Sequence, residues 1–234
     1  MFRFKQFTVH QDRTAMKVCT DACVLGAWAD VDGQRLLDIG TGTGLLALMA
    51  AQRNPTACID AVEMDAAACG QARENVAASP FSERIKVIQE RIQAFSLAEA
   101  AQYDRVLINP PFYTNHLRSP DDALNRALHN DELPFDELVA AITRLLHPAG
   151  QAWLLLPPAE WDRFRLPAEA AGLRPFRQLS LRHHPGKPVF RTITGLSYVS
   201  SRAPDGAELS VYEPDGRTYT ADFRRLLSPF YLIF

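Results

Sequence analysis

The sequence predicts an α/β protein built on a doubly wound, mostly parallel sheet, with an antiparallel hairpin toward its carboxyl-terminal end. Three observations predict it. From Gln34 onward, short apolar runs alternate with stretches of helical periodicity, the pattern of parallel strands joined by crossover helices. The first of these runs ends in a glycine-rich turn, DIGTGTG (38–44), which leads straight into a helical stretch. Near residue 180 the alternation gives way to two strand-like runs around HHPGKP, a turn-rich connection that suits an antiparallel pair.

Taken in order, RLLDIG reads as the first strand and LLALMAAQRN as a helix ended near Asn54-Pro55. CIDAVEMD is a second strand, and AAACGQARENVAAS a helix that Pro80 closes. RIKVIQE is a third strand and YDRVLI a fourth. Residues 113–133 are polar and mixed, a long loop; Pro134 then fits the first turn of the helix FDELVAAITRLLH, with Gly150 after its end. QAWLLLPP is a fifth strand, and the hairpin runs are placed near Arg177–Leu181 and Val189–Val199. The expected organisation is one domain over 1–234: a cover segment over 1–33, a core over 34–200, and an extension over 201–234 whose path the sequence leaves open.

Composition narrows the class. A chain of 234 residues, 47% hydrophobic and 22% charged, is an ordinary globular protein rather than a disordered one. A net charge of −2 does not call for a nucleic-acid partner by itself, though a local patch can supply one. Cys19, Cys23, Cys58 and Cys69 form no C-x-x-C pair, so reduced thiols and no metal site are expected. The amino terminus MFRFKQFTVHQDR has no apolar signal core, and no apolar run is long enough to span a membrane; a monomeric cytoplasmic protein is the expectation.

Function is concentrated at the strand ends. In open α/β sheets ligands bind outside the carboxyl ends of the strands, where strand order reverses. Gly40, Gly42 and Gly44 remove side chains where a backbone turns tightly against a ligand. A nicotinamide fingerprint would place its third glycine at position 45, which is Leu45 here, and Asp38 precedes the whole loop. Two carboxylates, Asp38 and Glu63, suit a cationic, hydroxyl-bearing ligand and are poor neighbours for a pyrophosphate. The fourth strand runs into Asn109-Pro110-Pro111-Phe112 at the same end of the sheet. As structure, the two prolines stop a strand. As chemistry, the Asn109 side-chain oxygen and the Pro110 carbonyl can accept hydrogen bonds from a conjugated amino group, while Phe112 offers a face to a planar base.

With Asp38, the glycines and Glu63 so spaced, the chain is similar to the S-adenosylmethionine-dependent methyltransferases, and the NPPF tetrapeptide resembles the motif of those acting on planar amino groups. The resemblance implies the Rossmann-like fold of class I of these enzymes. It also implies S-adenosyl-L-methionine as cofactor, with Asp38 near the methionine moiety and Glu63 on the ribose hydroxyls. The family's usual adenine-binding Asp after the third strand is replaced by Arg91, with Glu90 or a backbone amide left to make that contact. NPPF alone leaves adenine, guanine and glutamine amides open. The segment FRFKQFTVHQDRTAMKVCTDACVLGAWAD, with NPPFY and the terminal FYLIF, looks like the bacterial enzymes that methylate the 6-amino group of the adenine 3′ of the anticodon in a valine tRNA. That likeness implies Lys17, Thr20 and Asp21 beside the cofactor, and Pro111, Arg126 and His129 on the substrate side. Cys19 and Ala22 stand where the family carries glycines, and Val24, Leu25 and Trp28 read as an apolar cover over the sheet.

For the RNA, residues 174–191 carry Arg174, Arg177, Arg182, Lys187 and Arg191 without an acid, a candidate phosphate-binding face on which Arg182 and Lys187 are the chosen contacts. Competing readings are the same chemistry on DNA adenine, ribosomal RNA guanine or protein glutamine, and a non-catalytic RNA-binding module that retains a nucleoside site.

Overall fold

Leu36 and Leu37 are neighbours in one strand, both fully buried, and belong to two different apolar clusters, because successive strand side chains leave opposite faces of a sheet. That sheet is buried on both sides. The computed structural model describes residues 1–14, 16–99, 102–110, 133–199 and 203–234.

A small antiparallel pair, β1 (Phe2–Arg3) and β2 (Thr8–Val9), precedes helix α1 (Thr20–Trp28). Then come β3 (Arg35–Ile39), α2 (Leu45–Arg53), β4 (Cys58–Glu63), α3 (Ala66–Ala77), β5 (Ile85–Gln89), α4 (Ile92–Ala98) and β6 (Tyr103–Ile108). The remaining elements are α5 (Phe135–Leu145), β7 (Leu146–Leu156), α6 (Pro158–Ala170), β8 (Arg174–Arg182), β9 (Val189–Ser197), β10 (Asp205–Ser210) and α7 (Ala221–Leu227). The strands form one eight-stranded sheet in the order β10-β8-β9-β7-β6-β3-β4-β5. From β7 to β5 all neighbours are parallel; β9 runs antiparallel to both β7 and β8, so the expected hairpin is present.

Helices α1, α2 and α7 share one cluster with Leu36, Ile59 and Trp153, while Leu138 and Ile142 of α5 and Phe164 of α6 share the other with Leu37, Ile39 and Val106. Strand order reverses between β3 and β6: from β3 the chain goes to β4 on one side, while β6 flanks β3 on the other. In a parallel sheet that reversal opens a crevice at the carboxyl edge.

Several elements depart from the sequence expectation. The helix expected to reach His147 stops at Leu145, and the next strand starts at Leu146, because β6 pairs with it from Tyr103 onward. Helix α6 begins at Pro158 immediately after the fifth parallel strand, with proline in the first turn, where its missing N–H costs nothing. The extension adds β10 as a parallel edge strand along β8 and sets α7 against α1.

The amino-terminal segment is fastened at two places. Phe4 and Phe7 stack at 4.5 Å, Phe4 bridges to Tyr231, and Lys5 Nζ donates to the Ser228 and Phe234 carbonyl oxygens, so F-x-F-K-Q-F and FYLIF form one aromatic strap. Further along, the buried Asn75 of α3 accepts from the His10 N–H at 2.9 Å, and its Nδ2 donates to the carbonyls of His10 (2.8 Å) and Thr43 (2.9 Å). That one amide ties His10 to the glycine turn. Asn75→Ala strips three backbone groups of their partner and is expected to cost about 2–4 kcal/mol. Urea denaturation measures it, and hydrogen exchange at His10 should rise more than across the sheet.

Candidate active site

The register sets the site. Ile39 of β3 pairs with Ile108 of β6, so the next residues, Gly40 and Asn109, leave the sheet side by side at the switch point. Val62 of β4 pairs with Ile39, and its carbonyl accepts from the N–H groups of Gly40 (2.9 Å) and Thr41 (3.1 Å), which folds the turn back over the strand ends. Gly40, Gly42 and Gly44 have φ of 67°, 55° and 85°, the left-handed region that favours glycine. A Cβ added at Gly40 or Gly42 would meet no atom within 4 Å, so these two glycines face open space. At Gly44 a Cβ would instead meet Ala72 and Val76 of α3 at 3.7 Å, which makes Gly44 a helix-packing position and the start of α2.

Asp38 is fully buried under this turn. Its Oδ2 accepts from Thr41 Oγ1 at 2.5 Å and from the Ala47 N–H at 3.1 Å, so it serves as the side-chain cap that Gly44 cannot provide for α2. Its Oδ1 is buried without a partner. Burial pushes the Asp38 carboxyl up to about 7, against the lowering effect of those two hydrogen bonds. Glu63, half-buried at the end of β4, accepts from the Gly42 N–H at 2.9 Å and from the Asp65 N–H at 3.0 Å. Glu90 is exposed one strand over, its own N–H bonded to the Glu63 carbonyl and its carboxylate to the Arg91 N–H at 2.8 Å.

The crevice is lined by Met16, Lys17, Val18, Ala22, Gly40, Thr41, Gly42, Thr43, Leu45, Leu46 and Asn109. Asn109 Oδ1 is buried and accepts no hydrogen bond from the described residues, an arrangement that costs free energy unless a ligand supplies a donor. Pro110 behind it is buried. Leu45, where a nicotinamide site would need glycine, puts an aliphatic side chain into the crevice wall. Among the described residues, no three or more His, Cys, Asp or Glu side chains stand together as metal ligands would. No helix among them is long and apolar enough to cross a membrane.

Residues 23–155 match the model of the methyltransferase small domain family, a span that contains the glycine turn, Glu63 and Asn109. The chain belongs to that methyltransferase family. A relative from Dyadobacter fermentans, named tRNA1(Val) (adenine(37)-N6)-methyltransferase, is 50% identical over 236 residues, covering 100% of this chain and 98% of its own. Relatives of the same name from Bacteroides fragilis and Serratia proteamaculans are 40% identical, covering 99% and 100% of this chain and 97% and 90% of their own. Among solved structures, one described as a predicted O-methyltransferase from Agrobacterium tumefaciens superposes with a TM-score of 0.68 at 20% identity, covering 89% of this chain and 96% of its own. A glycopeptide N-methyltransferase complexed with S-adenosyl-L-methionine gives 0.56 at 14% identity, covering 76% and 92%. These two likenesses concern the fold.

In this methyltransferase the structure gathers Lys17, Gly40, Gly42 and Asn109 around one crevice, with Asp38 and Glu63 bonded to the turn that forms its floor. Lys17 Nζ donates to the Gln11 carbonyl at 2.6 Å. Thr20 is exposed at the start of α1, and Asp21 pairs with Arg191 of β9 at 2.9 Å instead of lining the crevice, although Ala22 beside it does. Pro111, Phe112, Arg126 and His129 lie outside the described residues. The basic run of residues 174–191 is divided: Arg174 and Arg182 begin and end β8, so roughly 26 Å of strand separates them. Arg177 stacks its guanidinium 4.6 Å from the Trp28 ring, while Arg182 pairs with Glu208 at 3.1 Å and donates to the Lys187 carbonyl. Sequence reasoning missed Met16, Val18 and Thr43 of the lining; Thr41 carried a signal, a hydroxyl three residues after Asp38 inside the turn.

Asp38 gives the fold a pH dependence of definite sign. The folded carboxyl titrates near 7, above the 3.8 of a free aspartate, so the folded state holds the proton more tightly. Its stabilising effect is complete below about pH 4 and is lost as pH rises through 7. The melting temperature of the wild type should therefore fall relative to Asp38→Asn between pH 5 and pH 8. A constant difference over that window would contradict the buried, proton-retaining carboxyl.

Proposed function

We propose that this protein transfers a methyl group from S-adenosyl-L-methionine to the 6-amino group of the adenine 3′ of the anticodon in a valine tRNA. The observation that carries the chemistry is the buried, partnerless Asn109 oxygen in the same crevice as Gly40 and Gly42. The names of the full-length relatives support the acceptor.

The residues present fit the cofactor. Two glycines whose Cβ positions are open form a cradle, and a buried carboxylate with one unsatisfied oxygen lies beneath it. Gly40 and Gly42 admit it, Asp38 and Lys17 take its charged amino-acid end, Glu63 its ribose hydroxyls, and Glu90 or the neighbouring backbone its adenine. When bound, S-adenosyl-L-methionine supplies an activated methyl group on a sulfonium.

An exocyclic amino nitrogen is a poor nucleophile because its lone pair is delocalised into the ring. Asn109 Oδ1 and the Pro110 carbonyl accept hydrogen bonds from its two N–H groups. They favour the pyramidal nitrogen and stabilise the positive charge that develops on it. Pro110 has a fixed φ, which holds its carbonyl in place. Phe112 stacks on the extruded base, and Pro111, Arg126 and His129 complete the acceptor side. The chain acts as one monomeric unit in the cytoplasm, with residues 1–33 closing the cofactor side.

Arg182 and Lys187 are the assigned phosphate contacts at the carboxyl edge. Replacing both by glutamine is expected to weaken tRNA binding and to lower the salt slope of log K by up to about two, less if Glu208 retains Arg182. Cofactor affinity should not change, and an unaltered salt slope removes both residues from the interface. For the reaction itself, a deletion strain should lack N(6)-methyladenosine in its valine tRNA by nucleoside mass spectrometry. Unchanged tRNA with undermethylated DNA, ribosomal RNA or protein would assign the site to another amino group.

A further inference from the structure

The turn between β8 and β9 carries an arrangement that the catalytic crevice does not use. β8 runs parallel to β7, since both are antiparallel to β9, so the turn over residues 183–188 projects from the same carboxyl edge as the glycine turn and Asn109. There the exposed His183 lies flat on Phe190, ring centroids 4.1 Å apart and planes 8° from parallel. Phe190 is half-buried against the core, which fixes the inner ring of the pair. The His183 carbonyl accepts from the Tyr212 N–H at 2.9 Å, which fixes the backbone beneath the outer ring.

The pair is joined to the crevice wall by a short chain of contacts. Arg191, next in sequence to Phe190, holds its guanidinium 5.7 Å from the Phe190 centroid and forms an ion pair with Asp21, Nε to Oδ2 at 2.9 Å. The residue after Asp21, Ala22, lines the crevice. A flat, exposed, firmly seated ring at the same sheet edge as the crevice, with Lys187 exposed on the same turn, matches the way single-stranded RNA is held: unpaired bases stack on aromatic side chains while cations follow the phosphates.

The geometry points to His183, seated on Phe190, as the stacking platform for an unpaired anticodon-loop base that flanks the target adenine. The inference rests on the tRNA reading above and adds to it a residue that positions the RNA. His183 touches no reacting atom; it holds the loop in register while the neighbouring base is turned into the crevice.

The experiment measures steady-state methyl transfer to the valine tRNA anticodon stem-loop by the full chain, comparing wild type, His183→Ala and His183→Phe, with cofactor affinity measured by calorimetry. Loss of one stacked base is worth roughly tenfold in affinity. For His183→Ala the expected result is a roughly tenfold higher KM for the RNA, with kcat, cofactor affinity and melting temperature at the wild-type values, and His183→Phe restores KM because a phenyl ring stacks equally well. An unchanged KM in His183→Ala overturns the platform, as does a His183→Phe variant no better than His183→Ala. A fall in cofactor affinity that accompanies the KM effect also overturns it, since that marks a structural role. If wild type does not methylate the stem-loop at all, the tRNA reading fails and the platform falls with it; active wild type with an indifferent His183→Ala leaves the reading standing.

Discussion

Asn109→Ala should reduce methyl transfer by about 10²–10³-fold, the cost of removing one preorganised polar group from a developing charge. Cofactor affinity should stay within about twofold, because Asn109 is assigned to the acceptor nitrogen, whereas the turn that cradles the cofactor is held by Val62, Asp38 and Glu63. The effect on stability has an unusual sign. The Asn109 oxygen is buried and accepts no hydrogen bond from the described residues, so removing it deletes a desolvated polar atom and breaks no hydrogen bond among them. Thermal denaturation should show Asn109→Ala at or above the wild-type melting temperature. An inactive variant with a lowered melting temperature would mean that the carboxamide is structural, and retained turnover would remove it from the chemistry.

Gly42→Ala is expected to raise the cofactor Kd by tenfold or more while the protein stays folded. At φ 55° an alanine pays the left-handed penalty of about 1 kcal/mol, and its Cβ meets no protein atom within 4 Å. The methyl group therefore protrudes into the open crevice, where the cofactor is proposed to sit. Gly44→Ala is the control, with a similar backbone penalty but a Cβ directed at Ala72 and Val76 of α3 and away from the crevice. Calorimetric titration should separate them: comparable losses in melting temperature, with the affinity loss confined to Gly42→Ala. If Gly42→Ala binds cofactor like wild type, the glycines serve only the strand-to-helix turn.

The core of this fold is legible in the sequence because two signals agree over residues 35–108. Apolar runs such as RLLDI and YDRVLI are buried on both faces of a parallel sheet, and the turn that follows β3 needs three left-handed residues, which glycine supplies. The proximity of Gly40 and Asn109 was readable in outline from the expected strand directions. Its tightness comes from the Ile39–Ile108 register, which no local pattern states.

Elsewhere tertiary context decides. Helix α1 has no apolar stripe because nearly all of its residues are buried, covered by neighbours on several sides. Helix α6 is masked by Pro157, Pro158 and Pro167, although Trp161, Phe164 and Ala168 mark its buried face at helical spacing. β10, DGAELS, has almost no strand-forming side chains and forms because β8 offers it a parallel edge. The basic run failed as a single surface for a related reason. A nine-residue strand carries its first and last arginines to opposite edges of a sheet, and acids distant in sequence, Glu208 and Asp21, come to pair with Arg182 and Arg191.

The claim that the Asn109 crevice methylates an adenine amino group in tRNA meets its most direct test in an acceptor comparison. Purified protein with methyl-labelled cofactor is offered total tRNA, DNA and a release-factor protein, and labelled nucleosides are identified by mass spectrometry. The account predicts label in tRNA alone, as N(6)-methyladenosine. Label in DNA, in protein, or in a nucleoside methylated at any other atom would contradict it.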